Sequence, residues 1–195
     1  MIPRNVLITI VVLFCGVVSL AFYALHLKHE AELLQPVSSE LKAISPPVTG
    51  TDETVPIFFA DDDHQILHKR LVTLSLPPQP AERTREILRS LITVYQEKNS
   101  LHRLGPDADI DDVFIVGTDT MVIDSNAAFA DQHQSGILVE ELTLASVART
   151  IAANVPGITR MKLLIDGKER ETLAGHADIA DFYVLGSDDW PVTDQ

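Results

Sequence analysis

Cysteine is almost absent from this sequence of 195 residues, in which Cys15 is the single example. One cysteine cannot form an intramolecular disulfide, so any exported domain in the chain must be stabilised by its hydrophobic core alone. Cys15 lies inside an apolar segment, and we interpret it as a small apolar residue there rather than as a site of lipid attachment. The composition therefore excludes a disulfide framework.

Basic residues are also scarce, relative to acidic residues. The part of the chain from Gly50 to Gln195 has 12 Lys and Arg against 25 Asp and Glu, a difference that equals the net charge of −13 of the whole chain. Nucleic acids and anionic lipid surfaces both attract basic patches, so this composition disfavours either of them as a partner. A basic partner, or solubility alone, is the interpretation that remains.

Charged residues are absent from residues 6–27. A helix of this length spans about 33 Å, which matches a membrane hydrocarbon core of about 30 Å. Because Arg4 precedes the segment, residues 1–5 are predicted to lie in the cytoplasm and the rest of the chain outside it. The sequence therefore predicts an uncleaved transmembrane anchor, and a signal peptide cleaved at Ser19-Leu20-Ala21 is the alternative.

Composition divides the remaining chain into three parts. Residues 28–51 are rich in Pro and Ser, which predicts a semi-extended stalk. Residues 52–185 have the length and apolar content of one domain with a single core. Residues 186–195 are predicted to form a flexible acidic tail. The chain shows no internal repeat, so we expect one copy of the domain.

Hydrophobic periodicity predicts two helices in this domain. The first begins at Pro80 and has apolar residues at three- and four-residue spacing up to Tyr95. The second covers residues 138–155 and is ended by Pro156 and Gly157. Strands are predicted at residues 55–60, 70–76, 113–116, 121–124, 158–165 and 168–173. We therefore predict an α+β fold in which two helices pack on one face of a mostly antiparallel or mixed sheet.

Three short segments resemble a known family. They read Val122-Ile123-Asp124-Ser125, Asp166-Gly167-Lys168 and Leu173-Ala174-Gly175-His176. In this order, and with the predicted elements around them, they resemble the GerMN domain of sporulation and spore-germination GerM-type proteins. The resemblance covers residues 55–183. It departs from the family pattern at Arg149-Thr150, where Asn-Thr would be expected.

The resemblance implies a protein of the bacterial cell envelope, with a single-pass anchor in the cytoplasmic membrane and its domain outside the cytoplasm. GerMN domains are similar to the ring-building modules of secretion-type assemblies, and no catalytic residue, metal or cofactor comes with the resemblance. We therefore expect a non-enzymatic interaction or assembly module. Its expected partners are the membrane and envelope proteins, in a homo- or hetero-oligomer, and not nucleic acid. A module that binds cell-wall glycan or peptide is the alternative.

Structural roles are expected for the residues of this signature. Asp166-Gly167 is a strong hairpin signal, so residues 168–173 should pair back on the preceding strand. Gly175 should supply a backbone bend, and His176 should hydrogen-bond the end of the hairpin. The full set is Asp124, Ser125, Pro156, Gly157, Asp166, Gly167, Lys168, Leu173, Gly175, His176 and Asp178. A pocket formed by His176, Asp124 and Asp178 would instead favour ligand binding or catalysis.

Two acidic segments imitate metal sites. The first contains Asp61, Asp62, Asp63, His64 and His68, and we interpret it as a solvated turn because consecutive carboxylates point in different directions. The second, with Asp107, Asp109 and Asp111, imitates the start of a calcium loop but lacks the Gly and the Glu that such a loop requires. No metal site is therefore predicted.

A hydrolase is the remaining alternative. Ser125 or Ser135 could act with His133 or His176 and an acidic residue, since these are the residue types of a catalytic triad. The sequence has no Gly-x-Ser-x-Gly segment to expose a nucleophile, and nothing in the spacing brings a triad together. We therefore expect no enzymatic activity.

Overall fold

A long antiparallel hairpin opens the part of the chain that the structure, a computed structural model, describes, residues 50–186. Strands β1 (Thr51–Asp61) and β2 (Ile66–Leu76) pair along their whole length as a separate two-stranded sheet. Both strands extend beyond the predicted ranges 55–60 and 70–76. The residues added to β1 are polar, so hydrophobic periodicity alone does not mark them as a strand.

A second sheet contains four strands in the order β3-β4-β5-β6. β3 (Ile110–Val116) and β4 (Thr120–Ser125) form the predicted hairpin, and β5 (Arg160–Ile165) lies parallel to β4. β6 (Tyr183–Val184) is antiparallel to β5. The sheet is therefore mixed, as predicted, but the domain has two sheets instead of one.

Three helices accompany the sheets within the described residues. α1 (Pro80–Gln96) begins at Pro80 as predicted, because a missing N–H costs nothing at the first helical position. α2 (Ala127–Asp131) is a short helix that the sequence analysis does not predict, and the side chain of Asn126 caps it. Five residues are too few to show helical periodicity. α3 (Ile137–Asn154) is the second predicted helix.

One large core joins the helices to the four-stranded sheet. Apolar side chains of α1 and α3 pack with the alternate residues of β4 and β5 that form the inner face of this sheet. These strand residues are Met121, Ile123, Met161, Leu163 and Ile165. A smaller core beneath β1 and β2 includes Ile57 and Ile87. The α+β class is therefore confirmed.

Helix α3 is buried on more of its surface than its sequence suggests. Leu138 and Ala152, two apolar residues of the predicted helix, are exposed, whereas a polar stripe on the same helix is buried or half-buried: Thr143, Ser146, Thr150 and Asn154. The reason is the hairpin, because α3 packs against β1 along this stripe. The Phe58 N–H donates to Thr150 Oγ1 at 3.0 Å, and Asn154 Nδ2 donates to the Pro56 carbonyl at 2.8 Å. The stripe therefore satisfies backbone groups of β1.

The predicted return strand at residues 168–173 does not form. Asp166 and Gly167 make the expected tight turn, with φ of 55° and 70°, and Lys168 exchanges backbone hydrogen bonds with Ile165. Pairing then stops, and the chain becomes a loop that buries Leu173 in the core. The strand does not form because backbone N–H groups of this loop donate to a buried acceptor outside the sheet, as described below.

No helix within residues 50–186 is long and apolar enough to cross a membrane. The predicted cytoplasmic residues 1–5, the predicted anchor at 6–27 and nearly all of the predicted stalk lie outside the described residues. The same holds for the predicted acidic tail beyond Gly186. These assignments stay predictions.

The contact between α3 and β1 predicts the effect of a Thr150→Val substitution. Valine has nearly the same shape but cannot accept the Phe58 N–H, so a buried donor is left without its partner. We expect the free energy of unfolding to fall by about 1–3 kcal/mol, measured by urea denaturation. Thr93→Val on the exposed side of α1 is the control, and a loss as large there would contradict this explanation.

Candidate functional site

A buried carboxylate lies where the helix α3 begins. Glu140 is in the first turn of α3 and its side chain has no exposed surface. Its Oε1 accepts the Gly136 N–H at 3.0 Å, which satisfies a donor at the helix N-terminus. Its Oε2 accepts three N–H groups of a distant loop, those of Ala174 and Ala177 at 2.9 Å and that of His176 at 3.0 Å.

These hydrogen bonds keep Glu140 ionised. Burial by itself would raise the pKa of this carboxyl, since a low-dielectric environment disfavours charge. The N–H groups of Gly136, Ala174, Ala177 and His176 have the opposite effect and lower its pKa to about 2. The carboxylate therefore carries a full charge at neutral pH, which the dipoles of these backbone N–H groups stabilise.

The loop that Glu140 holds contains the end of the sequence signature. Gly175 has a φ of 119°, a conformation that side-chain-bearing residues rarely adopt, so the expected backbone bend is present. Leu173 donates its N–H to the Ala177 carbonyl at 2.9 Å, which closes the loop. The His176 ring is 44% exposed and contacts Glu140 Oε1 through Nδ1 at 3.0 Å. We name residues 173–177 the signature loop.

One serine–histidine pair of the hydrolase alternative, Ser135 with His176, exists here, but its geometry does not suit catalysis. Ser135 Oγ lies 3.2 Å from His176 Nδ1, the same nitrogen that contacts Glu140. A nitrogen that donates its proton to a carboxylate has no lone pair with which to accept the serine proton. A triad needs the two ring nitrogens for its two partners, so Ser135, His176 and Glu140 form no relay.

The other proposed serine is buried in the sheet. Ser125 has no exposed surface, and its hydroxyl donates to the Leu164 carbonyl at 3.2 Å. Neighbouring Asp124 accepts the Gly167 N–H at 2.7 Å through Oδ1. Asp166 donates its N–H to the Ser125 carbonyl at 2.8 Å. This part of the signature therefore fixes the turn after β5.

The three residues whose pocket would have favoured ligand binding or catalysis have separate partners. His176 contacts Glu140, Asp124 holds the turn at Gly167, and Asp178 Oδ1 accepts the Ala180 N–H at 2.7 Å. Pro156 and Gly157 follow the end of α3 and belong to neither group. The structure thus divides the signature between the turn after β5, the signature loop and the end of α3.

A second network of hydrogen-bonded polar side chains, which was not predicted from the sequence, runs through the interior. His102 Nδ1 lies 2.6 Å from Asp62 Oδ1, and His102 Nε2 lies 2.7 Å from Thr143 Oγ1. His133 Nε2 is also 2.7 Å from Thr143 Oγ1, and its Nδ1 is 2.7 Å from the Gln134 carbonyl. His102 and Thr143 have no exposed surface. Although the atoms are ordered as in a catalytic triad, no substrate can reach the hydroxyl.

Thr143 connects the two histidines of this network, and its Oγ1 also donates to the Val139 carbonyl at 3.2 Å. Burial lowers the pKa of His133, since a low-dielectric environment disfavours the charged ring. The network therefore links the turn after β1, the loop after α1 and the helix α3 through buried polar groups.

The predicted solvated turn between β1 and β2 is solvated in part, because Asp63 and His64 are exposed and Asp62 is half-buried, but Asp61 is buried. Asp61 is 3% exposed, and its Oδ2 contacts His64 Nδ1 at 2.9 Å and His68 Nε2 at 3.1 Å. Burial raises its pKa, but bonds from His64 and His68 outweigh this and lower it to about 2. Residues 50–186 contain no group of three or more His, Cys, Asp or Glu arranged to hold a metal ion.

Comparison with known proteins identifies the family. Residues 56–171 match the family described as "Germane: Sporulation and spore germination". The chain belongs to this family. The family description names no reaction, and the resemblance to GerMN domains is confirmed. A comparison with curated proteins finds no match.

A solved GerMN domain has the same fold. The first GerMN domain of the sporulation protein GerM from Bacillus subtilis is 18% identical, with a TM-score of 0.50, and the match covers 70% of this chain and 99% of that domain. The tandem GerMN domains of the same protein give 18% identity and a TM-score of 0.46, over 68% of this chain and 46% of theirs. A candidate lipoprotein from Clostridium perfringens gives 19% identity and a TM-score of 0.42, over 72% and 92%.

The buried carboxylate predicts the effect of a Glu140→Gln substitution. A glutamine amide has one acceptor oxygen and turns an NH₂ group toward N–H donors, so the signature loop loses hydrogen bonds. We expect the free energy of unfolding at pH 7 to fall by about 3 kcal/mol. Because folding lowers the pKa of Glu140 from 4.5 to about 2, the advantage of the wild type is full above pH 4.5 and disappears toward pH 2.

Two controls separate this effect from a general effect of charge. Glu141→Gln changes an exposed neighbour in the same helix and should alter stability by less than about 0.5 kcal/mol. His176→Ala keeps the backbone N–H that binds Glu140, so it should cost about 1 kcal/mol. A wild-type advantage that does not change between pH 5 and pH 2 would contradict the assignment.

Proposed function

We propose that this protein is a non-enzymatic protein-interaction module of the bacterial cell envelope. The uncharged residues 6–27 support a single-pass anchor in the cytoplasmic membrane, with the domain outside the cytoplasm beyond a stalk at 28–51. Membership of the sporulation and spore germination family supports an envelope role. A tethered domain acts by raising the local concentration of its partner at the membrane.

The observation that carries this proposal is the outer face of the four-stranded sheet, opposite the core. Strand register aligns Phe114 on β3 with Val122 on β4 and Lys162 on β5. The ring of Phe182 lies 5.7 Å from Lys162 Nζ and 5.6 Å from Arg160 Cζ, so it covers these two cations. One row of side chains therefore crosses the whole sheet.

A second row lies beside the first on the same face. Register aligns Val116 on β3 with Thr120 on β4, then with Arg160 on β5 and Val184 on β6. The two rows together place four large apolar side chains with between 47% and 57% exposure on one face: Phe114, Val116, Phe182 and Val184. Phe114 and Val116 lie on β3 and Phe182 and Val184 lie at β6, with Arg160 and Lys162 between the two pairs. Exposed apolar side chains concentrated on one face of a sheet support a protein-binding site there.

The buried hydroxyl groups favour binding over chemistry. Ser125 and Thr143 have no exposed surface, and His176 Nδ1 cannot accept a proton from Ser135. These polar groups satisfy backbone donors and acceptors of the fold instead. The hydroxyl groups considered for catalysis are therefore occupied by the fold, whereas the outer face presents apolar side chains that a protein partner can cover.

A double substitution on the β6 side of the outer face tests the proposal. Phe182→Ser with Val184→Ser removes two exposed apolar side chains without entering the core. After chemical crosslinking of whole cells, we expect the full-length variant to form about one-tenth of the wild-type crosslinked envelope complexes, because each lost apolar contact weakens binding. The measurement is an immunoblot of the membrane fraction.

Leu71→Ser on β2 is the matched control, since Leu71 is 64% exposed but lies on the other sheet. It should leave the crosslinked complexes unchanged, and thermal melting should show that all variants are folded. Equal crosslinking of the double variant and the wild type would contradict the proposal. So would a wild-type protein that crosslinks only to lipid.

A further inference from the structure

The edge strand β3 offers a more specific site than the outer face as a whole. Within residues 50–186, β3 pairs on one side only, with β4. An edge strand of this kind turns the N–H and C=O groups of alternate residues outward, where an added strand can bind them. Natural proteins usually protect such an edge with charges, bulges or covering side chains.

Protection is present over the first half of β3. Arg89 of α1 donates through Nε to the Ile110 carbonyl at 3.0 Å, which covers the start of the edge. The register shifts between Ile110 and Asp112, as in a β-bulge. Asp112 Oδ1 then accepts the Val113 N–H at 2.9 Å. A partner strand is therefore hindered as far as Asp112.

The second half of β3 has none of these devices. Phe114, Ile115 and Val116 are consecutive, and all three are exposed, so both faces of the strand present apolar surface. Segments of apolar residues with β-branched side chains at an open edge are those that most readily accept another strand. We name residues 114–116 the open edge.

Charge restricts what can bind there. Residues 104–148 contain nine Asp and Glu and no Lys or Arg. Burial raises the pKa of Asp111 at the start of β3, and the nearby carboxylates of Asp109, Asp124 and Asp166 raise it further, with Arg89 acting against them. Arg85 Nη1 is 3.8 Å from Asp112, and Arg89 Nε is 3.1 Å from Asp109. These two cations leave an excess of negative charge beside the open edge.

We propose that the open edge binds an extended segment of another protein, in which apolar residues are flanked by Lys or Arg on the side of Asp111 and Asp112. The apolar residues would cover Phe114, Ile115 and Val116, while the basic residues would compensate the carboxylates. A second copy of this chain is a poor occupant, because its own β3 lies in residues 104–148, which contain no Lys or Arg to compensate the carboxylates. The inference rests on the proposed function and names its contact strand.

Two synthetic peptides test this proposal directly. Both contain Val-Thr-Val-Ile-Val, and two lysines flank this core in one peptide and two glutamates in the other. Binding to the full-length protein in detergent micelles is measured by fluorescence anisotropy. We expect the lysine peptide to bind at least about tenfold more tightly than the glutamate peptide. We also expect Asp111→Asn to reduce this ratio at least about threefold, because it removes one charge while keeping the shape.

Substitutions on the strand supply the second part of the test. Ile115→Asn, or Val116→Asn if the first variant does not fold, should weaken the lysine peptide about tenfold because the open edge loses apolar surface. Leu71→Asn is the matched control on the other sheet and should change nothing. Equal binding of the two peptides, or unchanged binding to both β3 variants, would overturn the proposal.

Self-association is the remaining outcome. If sedimentation shows a dimer that Ile115→Asn abolishes, a second copy occupies the open edge and the proposal is wrong. Failure here is also distinguishable from failure of the proposed function. If the peptides do not bind but Phe182→Ser with Val184→Ser still loses its crosslinked complexes, the contact strand is wrong and the interaction module stands. If both tests fail, both proposals fall.

Discussion

The carboxylate of Glu140 joins two parts of the chain that are more than 30 residues apart, and the C-terminal third of the domain depends on it. Its oxygens accept the N–H of Gly136 at the start of α3 and three N–H groups of the signature loop. With these donors satisfied, the loop can bury Leu173, Ala177 and Ile179 in the core rather than continue as a strand beside β5. A charge held by backbone dipoles therefore determines the path of the chain.

The same use of polar side chains recurs through the interior. Thr150 and Asn154 hold backbone groups of β1, Tyr95 Oη accepts the Ala60 N–H at 3.0 Å, and Thr143 links two histidines. Each of these groups has its hydrogen-bonding capacity occupied by the fold, so none is presented to a substrate. The polar interior fixes how the helices meet the sheets, and the capacity for recognition lies on the outer face and the open edge.

The elements that depend mainly on neighbouring residues could be predicted from the sequence. The helix that begins at Pro80 and the turn at Asp166-Gly167 are present because a fixed φ and a positive φ favour them in any context. The prediction of a strand at 168–173 was wrong because a loop forms there instead. This loop depends on Glu140, which lies 34 to 37 residues before its hydrogen-bond partners. One signal was available, since an acidic residue in the first turn of a helix attracts N–H donors. Gly175 has the expected backbone bend, whereas His176 contacts Glu140 and not the end of a hairpin, and this acceptor could not be identified from spacing.

A direct test of this account is the titration of the Glu140 side-chain carboxyl by carbon-13 NMR in the full-length protein. The account predicts that its pKa is about 2 and that the amide protons of Ala174, His176 and Ala177 shift in the same step. These three amides should also exchange slowly with solvent at neutral pH. A Glu140 carboxyl that titrates near 4.5, with rapid exchange at the three amides, would contradict the central role given to this carboxylate.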